Sequence, residues 1–394
     1  MLNSIYSFIK RGGALFMFLA FIIILNHQTG YISLVTVFSV AVLFIFISKA
    51  KIDVYSLLIV AFGVFYYTIS AINGYENNIQ TTVIYYIAPF FFYQYGYYFP
   101  SRFRTEDKIT VAWTIIVICY CLDIFCIATG NILSSGELIA EQRSLMFGGE
   151  SGYSMSATLV GLSLDIGMIG LAMAIIVKNK YMRIVYILMF IFSLLTTIHL
   201  LNRTAIAVAM LCTLTLIAYK SRNDIRTLIL SVVVILSISA ILIYFGIVND
   251  DIISLYNERN VDLSTMGTRT TRWKDAIGNM LIYPFGWGTM GREFHVHNMW
   301  LDIARIAGII PFLILSYLTI NTFIKTIRLL ISHERTISYL LLGLNICFFA
   351  SCFVEPIYGG THLNLYFMLM GTVNYLTRKN RIKREVQQTK TNIN

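Results

Sequence analysis

From Gly12 to Ser48 the chain runs for 37 residues without a charged side chain. Wound as one helix rising 1.5 Å per residue, that run would be roughly 55 Å long, well beyond the ~30 Å hydrocarbon core of a bilayer. It predicts two membrane spans broken at Asn26-His27-Gln28-Thr29-Gly30. The rest of the sequence agrees: of 394 residues, 57% are hydrophobic and 13% charged, against roughly 45–50% and ~25% in soluble domains. Such a balance excludes disorder, a disulfide scaffold, a coiled coil and an ordinary cytosolic enzyme. Lys10-Arg11 ahead of an apolar stretch imitates a signal peptide, but no small-x-small cleavage site follows, so the stretch is expected to be an uncleaved first span.

Spans are expected near 13–27, 31–48, 54–72, 79–99, 109–129, 156–177, 183–201, 204–219, 226–247, 298–322, 337–354 and 361–377. The fold class is thus an all-α polytopic integral membrane protein of about 12 transmembrane helices. A single membrane domain, 1–377, precedes a basic tail, 378–394. Pro89 and Pro311 fall inside spans, where neighbouring helices are expected to satisfy the freed carbonyls. The six cysteines (Cys119, Cys121, Cys126, Cys212, Cys347, Cys352) lie in apolar stretches and read as small buried hydrophobes.

Charge orients this layout. With the amino terminus inside, 22 of the 30 Lys and Arg fall in inner segments and 8 in outer ones, while acidic residues divide 6 inside to 14 outside. Every inner loop is basic, which is the positive-inside pattern, and both termini are expected in the cytoplasm. The net charge of +10 therefore orients a membrane protein and makes no groove for nucleic acid.

Two outer segments are longer than turns, 130–155 and 248–297, and long loops on a compact scaffold tend to carry function. In the second, Asp262-Leu263-Ser264-Thr265 reads as a helix start, and Trp273, Ile277, Met280 and Leu281 form one apolar face. Pro284 ends the helix, and Gly286, Gly288 and Gly291 make a turn-rich return. The expectation is a short amphipathic helix at the outer membrane boundary, between spans nine and ten. Four cations (Arg269, Arg272, Lys274, Arg292) lie in this loop, on the side where basic residues are otherwise avoided. Three are Arg, whose fork suits phosphate oxygens. His295-Val296-His297-Asn298 follows at the mouth of span ten, and Arg203 occupies the very short outer connection Leu201-Asn202-Arg203-Thr204. Ionisable residues at membrane depth are costly and usually mark a function. Asp123, Asp165, Asp302 and Arg305 share that category.

Each feature has a plainer reading. Arg203 can snorkel to headgroups, Arg269 and Arg272 can anchor their helix at the interface, and His295 and His297 can be a solvated pair. Asp302 and Arg305, three apart on a helix, are expected to pair with each other. A His-x-His beside Glu293 invites a metal, but zinc needs three or four ligands, and His362 and His27 are the only other outer histidines expected near span ends. No metal and no cofactor are expected. Walker loops and Gly-x-Ser-x-Gly elbows are absent from the sequence.

Taken in order, Leu201-Asn202-Arg203-Thr204, Arg269-Thr270-Thr271-Arg272-Trp273, Pro284-Phe285-Gly286-Trp287-Gly288, and His297-Asn298 followed after nine residues by Gly308 resemble the O-antigen polymerase and ligase superfamily of bacterial envelope polysaccharide assembly. The likeness covers 200–311 by motif and the remainder by span count and loop layout. A second glycine common in ligases is replaced here by Pro311, which favours a polymerase. The resemblance implies a metal-independent, inverting glycosyltransferase in the bacterial inner membrane, acting at the periplasmic face. It implies an undecaprenyl-diphosphate-linked glycan donor, a glycan acceptor, and a flippase and a chain-length regulator as further partners. Carried over residue by residue, Arg203 and Arg269 would hold the diphosphate, Arg272 would be a second phosphate contact and His297 the general base. His295, Asn298 and Arg143 are supporting candidates. Ligation of finished polymer to lipid A core, and transport of a lipid-linked oligosaccharide, are the alternatives. The unusual residues gather at one face and not at the midplane, which argues against transport.

Overall fold

The computed structural model describes residues 52–75, 87–138, 144–146, 154–222, 229, 269–287, 296–354 and 361–391. Spans one, two and nine, expected at 13–27, 31–48 and 226–247, lie outside the described residues or nearly so. Among the described residues five helices are long and apolar enough to cross a membrane: Val54–Ile72, Glu106–Ser135, Lys180–His199, Ile309–Ser332 and Thr336–Phe353. The chain is a helical, multi-pass membrane protein. Many Leu, Ile and Val side chains on these helices stay exposed, among them Leu57, Val64, Leu188, Leu313 and Ile331, as expected of surfaces solvated by lipid and not by water.

The chain divides into two compact units, residues 1–123 with 278–394, and residues 124–277. In the first, helix α1 (Val54–Ile72) begins at a capping box, in which Asp53 accepts from the Ser56 amide at 2.8 Å. Helix α2 (Ala88–Tyr98) passes through a 3₁₀ turn, Phe99–Arg102, to α3 (Glu106–Ser135). Tyr93 of α2 donates to Asp53 Oδ2 at 2.6 Å and accepts from Asn374 Nδ2 at 3.0 Å. Lys325 donates to Asn374 Oδ1 at 2.7 Å and lies 4.0 Å from the Tyr55 ring centroid. These polar partners, Tyr93 and Asn374 buried and Asp53 and Lys325 half-buried, satisfy one another where the helices meet.

Small residues let two of these helices touch backbone to backbone. A Cβ on Gly96 would overlap the Met368 carbonyl, and one on Gly371 would overlap the Tyr93 carbonyl. Thr372 donates to the Gly96 carbonyl at 2.9 Å and accepts from Trp113 Nε1 at 3.2 Å, tying α2, α3 and the final helix together. Replacing Gly371 by Leu is expected to force these helices apart and lower folded yield and thermal midpoint in detergent. An unchanged midpoint would mean that the close crossing is not structural.

The last four helices of this unit are α9 (Met299–Ala307), α10 (Ile309–Ser332), α11 (Thr336–Val354) and α12 (Thr361–Thr391). The sequence had suggested one span over 298–322. The structure breaks it at Gly308, whose φ of +79° and ψ of −170° cannot continue a helix. Helix α9 instead packs back on its neighbours, with Trp300 Nε1 donating to Thr319 Oγ1 at 3.2 Å and the Trp300 ring 5.1 Å from Phe349. Pro311 accordingly lies in the first turn of α10, and Pro89 in the first turn of α2, where the missing amide costs no helical bond. Neither proline interrupts a described helix. The segment 378–391, read as a tail, continues α12 as helix.

In the second unit, α4 (Ala157–Met168) and α5 (Gly170–Ile176) are helical over the stretch expected as span 156–177, with a break at Ile169. They pack against α6 (Lys180–His199) and α7 (Arg203–Lys220). Gly170 abuts the Tyr186 carbonyl, and Ser193 donates to the Leu164 carbonyl at 2.6 Å. The loop expected over 130–155 is shorter than foreseen, since α3 reaches Ser135. It contains a two-stranded antiparallel hairpin, β1 (Ser144–Met146) with β2 (Ser154–Ser156), in register Leu145 to Met155. Two three-residue strands in a connection leave the all-α class as expected. Five cysteines are buried as expected, but Cys126 on α3 is exposed.

Candidate functional site

The amino-terminal cap of α9 forms the centre of the site. Asn298 is its N-cap, and its Oδ1 accepts from the Leu301 amide at 3.1 Å while Nδ2 donates to the Phe353 carbonyl at 3.2 Å. The cap is thus tied both to its own helix and to α11. His297, one residue earlier, has φ of +54°, a left-handed conformation costing an ordinary side chain about 1–2 kcal/mol. On its other side the Val296 amide donates to Asp302 Oδ1 at 3.0 Å. Arg305 Nε meets the same oxygen at 3.3 Å, and Arg305 Nη1 donates to the Tyr75 hydroxyl at 3.0 Å. Asp302 and Arg305 form the ion pair expected from their spacing. Both are buried, and Asp302 Oδ2 has no hydrogen-bond partner among the described residues.

The carboxyl end of α9 is closed by the Pro-x-Gly turn. The Trp287 amide donates to the Arg305 carbonyl at 3.0 Å, and Asn73 Nδ2 reaches the Ile306 carbonyl at 2.9 Å and the Phe285 carbonyl at 2.8 Å. These contacts satisfy carbonyls that the helix end would leave bare. The Ile309 amide, at the start of α10, donates to the Pro284 carbonyl at 2.8 Å. The turn fits only because Gly286 (φ +90°) and Gly308 carry no Cβ; one on Gly286 would stand 2.9 Å from the Arg305 carbonyl.

The second unit repeats the device. Leu201 has φ of +48°, and with His297 it is one of two non-glycine residues at positive φ among the described residues. Asn202 then caps α7, accepting from the Ala205 amide at 3.1 Å and donating to the Ala157 carbonyl at 2.9 Å. Arg203 is the first residue of α7. His199 ends α6, with Nδ1 2.9 Å from the Leu138 carbonyl oxygen. The carbonyl accepts only, so the proton lies on Nδ1, leaving Nε2 a buried acceptor without a partner among the described residues.

Arg269 opens α8 (Arg269–Ile282), with Arg272 one turn on, and both are half-buried. The helix is amphipathic as expected, but its inward face is formed by Ala276 and Met280, whereas Ile277, Leu281 and Ile282 are exposed. Exposed apolar side chains beside exposed Lys274 and Asp275 suit a helix lying in a membrane boundary. The expected helix start at Asp262-Leu263-Ser264-Thr265, and Arg143, Arg292 and His295, lie outside the described residues. Of the sequence-predicted residues, His297 and Asn298 belong to the first unit, and Arg203, Arg269 and Arg272 to the second. Asp165 is buried in α4.

Sequence reasoning passed over Asn73 and Tyr75, which support α9, although an Asn-Gly pair closing an apolar run is a signal of chain reversal. It also passed over His199, the last residue of α6, because an apolar run hides where its helix stops. No protein-family model and no curated protein matches the chain.

Proposed function

We propose that this protein is a membrane glycosyltransferase of the O-antigen polymerase and ligase type, polymerising glycan repeat units carried on undecaprenyl diphosphate. The observation that carries the reading is the positive φ of His297 at the cap of α9, between two tethered neighbours, Val296 and Asn298. A histidine held in a sparsely populated conformation by its surroundings signals a functional constraint. In this reading the bacterial inner membrane holds about 12 spans, both termini are cytoplasmic, and the site faces the periplasm, following the charge bias.

The chemistry is economical. A diphosphate is a stable leaving group, so guanidinium forks from Arg203, Arg269 and Arg272 neutralise its charge without a metal. The acceptor hydroxyl needs a base of near-neutral pKa, which an imidazole supplies. Attack at the anomeric carbon opposite the diphosphate breaks the glycosyl–phosphate bond, passes the hydroxyl proton to His297 and inverts the centre.

The test is the polysaccharide ladder from cells lacking the protein. Single repeats stranded on the lipid carrier support a polymerase, finished polymer on its carrier indicates a ligase, and an unchanged ladder removes both. Restoring the gene with Arg203→Lys or Arg269→Lys should leave product largely abolished, because an ammonium cannot reproduce a bidentate fork. Full-length polymer in both Lys strains would remove the diphosphate assignment.

A further inference from the structure

Asp302 does work that neither the motif nor the proposed chemistry gives it. One of its oxygens is spent on the backbone beside the imidazole: Oδ1 accepts the Val296 amide at 3.0 Å. The same oxygen is held by Arg305 Nε at 3.3 Å, and Arg305 is held in turn by the Tyr75 hydroxyl at 3.0 Å. On the other side of residue 297, Asn298 is fixed by Leu301 and Phe353. Residue 297, at positive φ, is therefore held on both flanks, by the Asp302 side chain of α9 at Val296 and by the capping side chain of Asn298. Asp302 is 2% exposed, and its second oxygen has no hydrogen-bond partner among the described residues. A half-satisfied buried carboxylate is a poor stabilising device. Its presence makes sense if fixing the chain at Val296, one residue before His297, is what matters.

We propose that Asp302 is the positioning residue of the site: through the Val296 amide it fixes the backbone from which the His297 imidazole projects, with Arg305 and Tyr75 keeping its carboxylate aimed. This rests on the glycosyl-transfer reading, because it assigns His297 a geometry-sensitive task. Asp302 touches no substrate. Its loss moves the base out of line with the acceptor hydroxyl, and misplacement by about 1 Å can cost about 100-fold in rate. The donor, held elsewhere, binds as before.

The experiment is a double-mutant cycle on the full chain in proteoliposomes, using a synthetic polyprenyl-diphosphate-linked glycan as donor. Asp302→Ala is expected to lower kcat about 10- to 100-fold with donor KM unchanged. Asp302→Asn, which keeps an acceptor for the Val296 amide, should recover most of the rate. In a His297→Ala background Asp302→Ala should cost nothing further, because there is no imidazole left to aim. An undiminished loss in that background would overturn the proposal and make Asp302 a general structural residue, as would Asp302→Ala turning over like the parent. Should the Ala chain not accumulate, Asp302→Asn carries the same cycle, with about a threefold loss expected to vanish in the His297→Ala background and the same overturning outcomes. If the parent itself transfers no glycan, the glycosyl-transfer reading falls and this assignment with it. If the parent transfers and only the cycle fails, the reading stands and the positioning role alone is lost.

Discussion

Gly308→Val is expected to reduce folded protein to a small fraction of the parent level, and Gly308→Ala to lower the thermal midpoint by several degrees. Gly308 has φ of +79° and ψ of −170°, a region essentially reserved for glycine, where another residue costs about 1–3 kcal/mol. A Cβ there would also overlap the Pro284 carbonyl and crowd Phe285. That carbonyl cannot yield cheaply, since it accepts from the Ile309 amide at 2.8 Å, a bond contributing about 0.5–1.5 kcal/mol. The two effects together remove a substantial part of the roughly 5–15 kcal/mol that holds an ordinary domain together. Gly278, inside α8 with nothing within 4 Å of its Cβ position, is the control: alanine there should be neutral or stabilise by about 0.5–1 kcal/mol. Thermal unfolding of the two alanine proteins in the same detergent separates the cases. Equal midpoints would show that the α9–α10 junction tolerates a side chain and that the turn is not fixed in the way described.

That junction also shows what the sequence could and could not reveal. The uncharged runs and the basic loops specify helical spans because lipid allows no unsatisfied backbone, and 54–72 and 337–354 agree with α1 and α11 to within a residue. The Asp302–Arg305 pair was legible from helical spacing alone. The break at Gly308 was not, because apolar residues continue on both sides of it and a glycine within an apolar run is often tolerated. Only the Pro284–Ile309 hydrogen bond, between residues 25 apart in sequence, decides that this glycine is a corner. For the same reason His297 was visible as a candidate by residue type, while the tethers that hold it are long-range contacts to Phe353 and, through Arg305, to Tyr75. The hairpin in 130–155 was hidden by short strands that carry no readable alternation.

His297→Gly should abolish transfer while making the protein more stable, and the opposite signs are the informative part. Removing a general base typically costs about 10²–10⁴ in rate. His297→Ala should give the same loss with stability near that of the parent, because alanine pays the same left-handed strain at φ of +54°. Glycine does not, so its chain should gain up to about 1–2 kcal/mol, offset in part by the extra backbone freedom glycine brings to the unfolded state. His295→Ala should be milder in rate than either. A structural histidine predicts a different pattern, in which both His297 substitutions lower stability and activity falls only as folded protein is lost. Measuring turnover per folded molecule beside thermal unfolding distinguishes the two. Equal losses at His295 and His297, abolished further by chelator, would instead point to a metal held by both rings. Strain that is relieved only at the expense of chemistry is what a site retains when its geometry is selected for rate and not for stability.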